Sequence, residues 1–94
     1  MNETDLILAD PPVQMAQLNI TYAGQQGNLP DLVPFDLGDA EIKRIATEAL
    51  TQGIPGINPV AGVDLRDFMI DRFPARPDMP ANRLSLRPKT PFGA

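Results

Sequence analysis

The chain has 94 residues, of which 43% are apolar, and a formal net charge of −4 at pH 7. This length suits one domain, and the apolar residues are not gathered into the run of about 20 that crosses a bilayer. The pattern therefore predicts neither a transmembrane helix nor a secretory signal. Cys and His are absent, which excludes disulfides, thiol nucleophiles, Cys/His zinc sites and His-dependent triads. We expect a cytoplasmic protein, since a chain without Cys suits a reducing compartment. We also expect that it is not an enzyme and uses no cofactor or metal, because the chain is poor in catalytic side chains.

The charge is unevenly distributed along the chain. Residues 1–64 hold nine acids and two bases, a net −7, whereas residues 65–94 hold three acids and six bases, a net +3. The basic part is either an ordinary solvated surface or an electropositive face for an acidic protein partner. Nucleic acid is disfavoured as a partner, because the whole chain is acidic and offers no Trp and a single Tyr for base stacking.

Residues 1–14 are predicted to form an N-terminal arm. Asp10-Pro11-Pro12 interrupts any regular element, because proline lacks an N–H donor and restricts the residue before it. Within the arm, Leu6-Ile7-Leu8 has two interpretations. It is a short segment that docks on the domain or frays, or it is a linear motif that adds a strand to another protein's sheet edge.

An antiparallel hairpin is predicted after the arm. Apolar and polar residues alternate over residues 15–22, which is the period of a half-buried strand. Residues 23–28 contain two glycines and are predicted to form the turn. A second strand is predicted at residues 32–37, where Pro34 indicates an edge position because it cannot donate to the ladder.

A helix of about three turns is predicted next, with Asp39 as its N-cap and with Gly53 and Pro55 ending it. The apolar stripe of this helix consists of Ile42, Ile45, Ala46, Ala49 and Leu50. The helix is too short to be stable alone, so the stripe must pack on the hairpin. The predicted core comprises Leu18, Ile20, Val33, Phe35, Ile42, Ile45, Ala49, Leu84 and Leu86.

The segment after the helix is ambiguous at two places. Residues 54–63 are apolar for a loop, so they either pack down on the core or form an exposed contact surface. Residues 64–73 fit a helical face or a strand. We predict a helical turn at 64–67 that leads into a strand at 68–73, because aromatic and β-branched residues favour the extended form. Residues 74–81 contain three prolines and are predicted to be irregular.

Asp67 and Asp71 could be mistaken for a catalytic carboxylate pair. On a strand they would lie about 13 Å apart, which is too far for a shared proton. We interpret them instead as charge partners of Arg66 and Arg72.

A last strand is predicted at residues 83–87, with Leu84 and Leu86 facing inward. Pro88 ends it, and residues 89–94 form a tail. Arg83, Arg87 and Lys89 would share the outward face of this strand. That face is either solvated or a docking surface for a partner, to which Phe92 of the tail would add a contact.

The order of hairpin, helix, strand, irregular segment, last strand and tail resembles the β-grasp fold of ubiquitin and its relatives. The segments that carry the resemblance are LNITYAGQQG, DAEIKRIATEAL and RLSLRPKTPFGA. The resemblance implies an α+β domain over residues 15–88, in which a mixed sheet of four strands wraps on one helix. The chain looks like the bacterial ubiquitin-like proteins.

The resemblance also implies a function. In a ubiquitin-like protein modifier the C-terminal carboxyl group, here of Gly93 or Ala94, is activated by a ubiquitin-activating-like enzyme. A ubiquitin-conjugating-like enzyme then passes it to a target amine, and a processing protease acts first if the tail is trimmed. Lys43 lies off the apolar stripe, and we expect either Lys43 or the amine of the N-terminal arm to be the acceptor if polymers form. Such modifiers usually end in two glycines, whereas here a single Gly93 is followed by Ala94. The alternative is a non-covalent β-grasp adaptor or assembly component that binds a protein through its sheet face.

Overall fold

The computed structural model describes residues 14–89, which form an α+β unit with one helix and a mixed five-stranded sheet. The helix α1 spans Asp39–Gln52. The strands are β1 (Met15–Tyr22), β2 (Gln25–Asn28), β3 (Val33–Pro34), β4 (Phe68–Phe73) and β5 (Asn82–Pro88). The Leu6-Ile7-Leu8 motif and the tail residues Phe92, Gly93 and Ala94 lie outside the described residues, so what was expected of them stays a prediction.

The sheet has the order β2-β1-β5-β4, and β3 also pairs with β1. The two central strands β1 and β5 are parallel, with Leu18 opposite Leu84 and Ile20 opposite Leu86, while all the other pairs are antiparallel. Parallel strands need a long crossover connection. All the elements from β2 to β4, α1 included, lie in that connection. The last strand occupies the middle of the sheet because it pairs with both β1 and β4.

Alternation along β1 and β5 buries one face of the sheet against α1. The buried core consists of Ala16, Leu18, Ile20, Val33, Ile42, Ala46, Leu50, Ile57, Leu65, Leu84 and Leu86. On α1 the fully buried positions are spaced by four residues, which leaves Ile45 and Ala49 only half-buried. The predicted core therefore overstates the burial of these two residues. It also overstates the burial of Phe35, which is partly buried and packs against the core cluster.

The hairpin differs from its prediction. The turn is only Ala23-Gly24, with φ of 50° and 79°, and the residues predicted to continue it form β2 instead. Non-glycine residues rarely adopt positive φ, so Ala23 gave no signal for a two-residue turn. The strand predicted at 32–37 shrinks to Val33–Pro34, although it does pair antiparallel with β1. Pro34 occupies an edge, as predicted, since β1 is the one described strand that pairs with β3.

The start of α1 lies one residue earlier than predicted. Gly38 is the N-cap and makes no side-chain capping bond, and Asp39 is the first helical residue. The Asp39 carboxylate instead accepts a 2.8 Å hydrogen bond from Arg72. The end of the helix is confirmed, because Gly53 has φ 88° and its N–H donates to the Ala49 carbonyl over 2.8 Å.

The loop at residues 54–63 packs down on the core, which confirms the first of its two interpretations. Ile57 is buried, and Ile54, Val60 and Val63 pack against the buried cluster. The loop thus closes one end of the domain.

This closure depends on a close backbone approach between the loop and β2. A Cβ atom on Gly27 would overlap the Pro55 carbonyl oxygen, and one on Gly56, which has φ 96°, would overlap the Gln26 carbonyl oxygen. Only glycine fits at both positions.

The strands β4 and β5 and the irregular segment between them match their predictions, whereas the helical turn predicted at residues 64–67 is a single hydrogen-bonded turn. The Phe68 N–H donates to the Leu65 carbonyl over 3.0 Å, which closes a turn just before β4. Residues 74–81 are irregular apart from a bridge between Arg76 and Met79, and the last strand extends over Asn82–Pro88. Among the described residues, no helix combines the length and the apolar character that crossing a bilayer requires.

Candidate functional site

The sheet has a second face, opposite α1, that no described element covers. We call it the open face. It forms a shallow polar depression of about 480 Å³. Its side chains are those of Gln17, Asn19, Gln26, Asn28, Asp71, Phe73, Arg83, Ser85 and Arg87. The alternation of the strands, which buries their other residues, brings this set together.

Amide side chains occupy the β1–β2 half of the open face. Asn19 lies opposite Asn28 and donates to its side-chain oxygen over 2.9 Å, while the Gln26 amide donates to Asn19 Oδ1 over 3.1 Å. These bonds fix the orientation of the amides. The remaining donors and acceptors face solvent, where they suit hydrogen bonding to another chain.

Arg87 is one of two guanidinium groups on the open face, and its charge is neutralised within the fold. Its Nε lies 2.6 Å from the Asp71 Oδ2, and the two side chains are 39% and 33% exposed. The prediction that Asp71 pairs with Arg72 is wrong. Neighbouring residues of a strand point to opposite faces, whereas cross-strand neighbours share a face.

Arg83 is the other guanidinium group, and it has a different environment. It lies opposite Phe73 in the β4–β5 register, and its Cζ is 5.5 Å from the centre of the Phe73 ring. Among residues 14–89 it forms no ion pair with a carboxylate. A cation over an exposed aromatic ring gains about 0.5–1 kcal/mol but keeps its full charge. The docking hypothesis therefore depends on Arg83 more than on Arg87.

Arg72 points to the side of the sheet away from the open face. Its guanidinium donates to the carbonyls of Phe35 and Leu37 over 2.9 and 2.7 Å, and to Asp39 over 2.8 Å. These three bonds tie the segment that precedes α1 to β4. The role of Arg72 is structural.

Arg66 pairs with Asp64 rather than with Asp67, at 2.8 Å. The hydrogen bond from Arg66 lowers the pKa of the exposed Asp64 carboxyl. Asp64 is also the main cause of the raised pKa of Arg66, to which Asp67 adds only a longer-range attraction. The predicted Asp67–Arg66 partnership is therefore secondary.

The two lysines lie apart from the depression. Lys89 follows β5, and its N–H donates to the Asp67 carbonyl over 3.3 Å. Lys89 does not line the depression of the open face. Three of the predicted contact residues are described by the structure, and it brings Arg83 and Arg87 together there without Lys89. Lys43 is half-exposed on α1, and its Nζ donates to the Arg66 carbonyl over 3.1 Å.

A smaller, mainly apolar depression of about 220 Å³ adjoins the open face. It is lined by Phe73, Pro74, Arg76, Met79 and Ala81. Two backbone hydrogen bonds between Arg76 and Met79, of 2.7 and 2.9 Å, close residues 76–79 into a turn at the wall of this depression. Sequence reasoning found only a proline-rich segment here and missed the depression, for which an apolar Met79 between Pro77 and Pro80 is the available signal.

Within the part of the chain that the structure describes, no three acidic, His or Cys side chains are grouped to hold a metal ion. Comparisons with protein-family models, with curated proteins and with solved structures found no match to this chain. The functional argument therefore depends on the open face itself.

Proposed function

We propose that this chain is a non-enzymatic β-grasp protein that acts by binding a protein partner through the open face of its sheet. The β-grasp assignment is supported by the sheet order β2-β1-β5-β4 and by its parallel central pair. The assignment is also supported by the single helix, which lies on one side of the sheet and belongs to the connection between those two strands.

The observation that carries the proposal is the environment of Arg83. This side chain stands on a central strand, on a face that the helix leaves open, and among the described residues no carboxylate pairs with it. Arginine is enriched at protein interfaces because its planar fork of donors matches a carboxylate. The surrounding amides add hydrogen-bonding capacity. A partner surface with carboxylates would complement this face.

The partner can be identified by a photo-crosslinker placed at Ser85 on the open face, with the same crosslinker at Glu48 on α1 as the control. We expect a partner that is captured from Ser85 and not from Glu48. Arg83→Glu should then slow association with the purified partner, and the loss should shrink at high salt.

Arg66→Glu is the matched control for that substitution, since it makes the same charge change at a side chain 87% exposed and outside the open face. Equal binding by Arg83→Glu and Arg66→Glu would contradict the proposal. Arg87→Glu is less informative, because it would break the ion pair with Asp71 on the open face itself, whereas the Asp64 pair that Arg66→Glu breaks lies outside that face.

A second candidate is the covalent modifier. The feature that supports it is the position of Gly93 in the sequence, five residues after the last residue of the central strand β5. Glycine lets a chain terminus enter a narrow enzyme channel. The chain has no Cys, so ubiquitin-activating-like and ubiquitin-conjugating-like enzymes would have to supply both the ATP chemistry and the thiolate.

Deletion of residues 93–94 separates the two candidates. A modifier loses amide linkage to its target, measured by peptide mass spectrometry after incubation with its enzymes and ATP. An adaptor keeps its partner affinity after the same deletion. A linkage mapped to Lys43 would identify this amine as the acceptor in polymers. Lys43→Arg is the control, because it removes the amine and retains the charge.

A further inference from the structure

We propose that the open face and the apolar depression beside it form one continuous site for an extended peptide segment of the partner. That segment carries a carboxylate and a bulky apolar side chain on the same side. The inference rests on the proposed binding through the open face and adds the chemistry of what is bound there.

Arg83 provides the part of the site that recognises a carboxylate. The other charges near it are already compensated, because Asp71 pairs with Arg87 at 2.6 Å and Asp78 pairs with Arg76 at 3.4 Å. Neither acid therefore offers a strong local repulsion to an incoming carboxylate. The Phe73 ring supports the guanidinium from one side and leaves its other edges available for hydrogen bonds.

Phe73 and Met79 provide the apolar part. Phe73 is 43% exposed, which is a large fraction for an aromatic side chain, and Met79 is half-buried at the wall of the depression. A volume of about 220 Å³ accommodates a side chain such as Leu or Phe but is small for a drug-sized ligand. Methionine also adapts its shape to the group it contacts.

The spacing of the two parts favours an extended peptide. Phe73 borders both depressions, and the Arg83 Cζ is 5.5 Å from its ring centre. In an extended chain, alternate side chains point the same way about 6.6 Å apart. Because the two parts share Phe73 and therefore adjoin, the ligand we expect uses this shortest same-side spacing, with an apolar residue and an acid separated by one residue, in either order.

The probes are the peptides acetyl-Ser-Leu-Ser-Glu-Ser-amide and acetyl-Ser-Glu-Ser-Leu-Ser-amide, one for each order, titrated separately into the full-length protein labelled with ¹⁵N and followed by NMR. Two control peptides are made for the order that binds. One control peptide replaces Glu with Gln, and the other replaces Leu with Ser. We expect shift changes at the amides of Phe73, Met79 and Arg83, and an affinity at least fivefold lower for each control peptide.

Two protein variants assign the contacts. Arg83→Gln should abolish the preference for Glu over Gln, and Met79→Ser should abolish the preference for Leu over Ser. Both side chains are at the surface, and an unchanged spectrum of the free protein outside the substituted region confirms that each variant folds.

Three outcomes would overturn the inference. Shifts confined to β1 and β2, with no dependence on Leu, would refute the two-part site and leave the proposed binding through the open face intact. The two-part site would also be refuted if no peptide changed the NMR chemical shifts of the Phe73 or Arg83 amides. Crosslinking from Ser85 tests the proposed function separately. A concentration-dependent dimer that Phe73→Ser abolishes would assign the surface to a second copy of the chain.

Discussion

Ile42→Ala and Ile45→Ala form a matched pair of substitutions that tests how α1 packs on the sheet. Both residues lie inside the helix and lose the same atoms, and both gain the same helix propensity, about 0.4 kcal/mol. They differ in burial, because Ile42 is 0% exposed whereas Ile45 is half-buried. The difference between their effects therefore reports packing alone.

Ile42→Ala should lower the free energy of unfolding by about 3–4 kcal/mol, which is the lost transfer energy plus the cost of a cavity. At Ile45 water already reaches part of the side chain and fills the space it leaves, so we expect about 1–2 kcal/mol. This value is lower than the about 2–4 kcal/mol that full burial of Ile45 in the predicted core would imply. Ile42→Ala would remove a large share of the about 5–10 kcal/mol that a domain of this size possesses.

The assay is urea unfolding followed by circular dichroism at 222 nm, with both variants fitted at a common slope. Equal losses, or a larger loss at Ile45, would refute the reasoning. Either result would mean that α1 is rotated about its axis and presents Ile45 rather than Ile42 to the sheet.

Three further predictions follow from named contacts. Gly27→Ala should cost about 1–3 kcal/mol in urea unfolding because its Cβ meets a backbone carbonyl, whereas Gly38→Ala, where nothing lies within 4 Å, should cost less than about 1 kcal/mol. Arg72→Gln should cost about 1–2 kcal/mol, because its carbonyl acceptors are exposed enough for water to replace part of the loss. The hydrogen bond from Arg44 lowers the pKa of the exposed Glu41 carboxyl, so its small stabilisation is present above the ordinary pKa and is lost as pH falls through the lowered one. A carboxyl ¹³C NMR titration should find that Arg44→Gln returns this pKa to its ordinary range, and an unchanged pKa would contradict the pair.

Local periodicity was sufficient for α1, β1 and β5, whereas β4 was predicted from its aromatic and β-branched residues. A stripe with the helical period, ended by Gly53, defines α1, and alternation defines β1 and β5. The Arg83 side chain was placed on an outward face for the same reason, because the period of two fixes the direction of each side chain along a strand.

Tertiary structure decided where β2 lies and which charges pair. β2 pairs with β1, and at Gly27 its backbone also approaches the Pro55 carbonyl oxygen, a contact between segments far apart in the chain. Asp71 pairs with Arg87 because the β4–β5 register places them on one face, although Arg72 is nearer in sequence. Local periodicity reports only the direction of a side chain, whereas its neighbours depend on strand order and register. The same register brings Phe73 beside Arg83, and so creates the site where we expect a partner to bind.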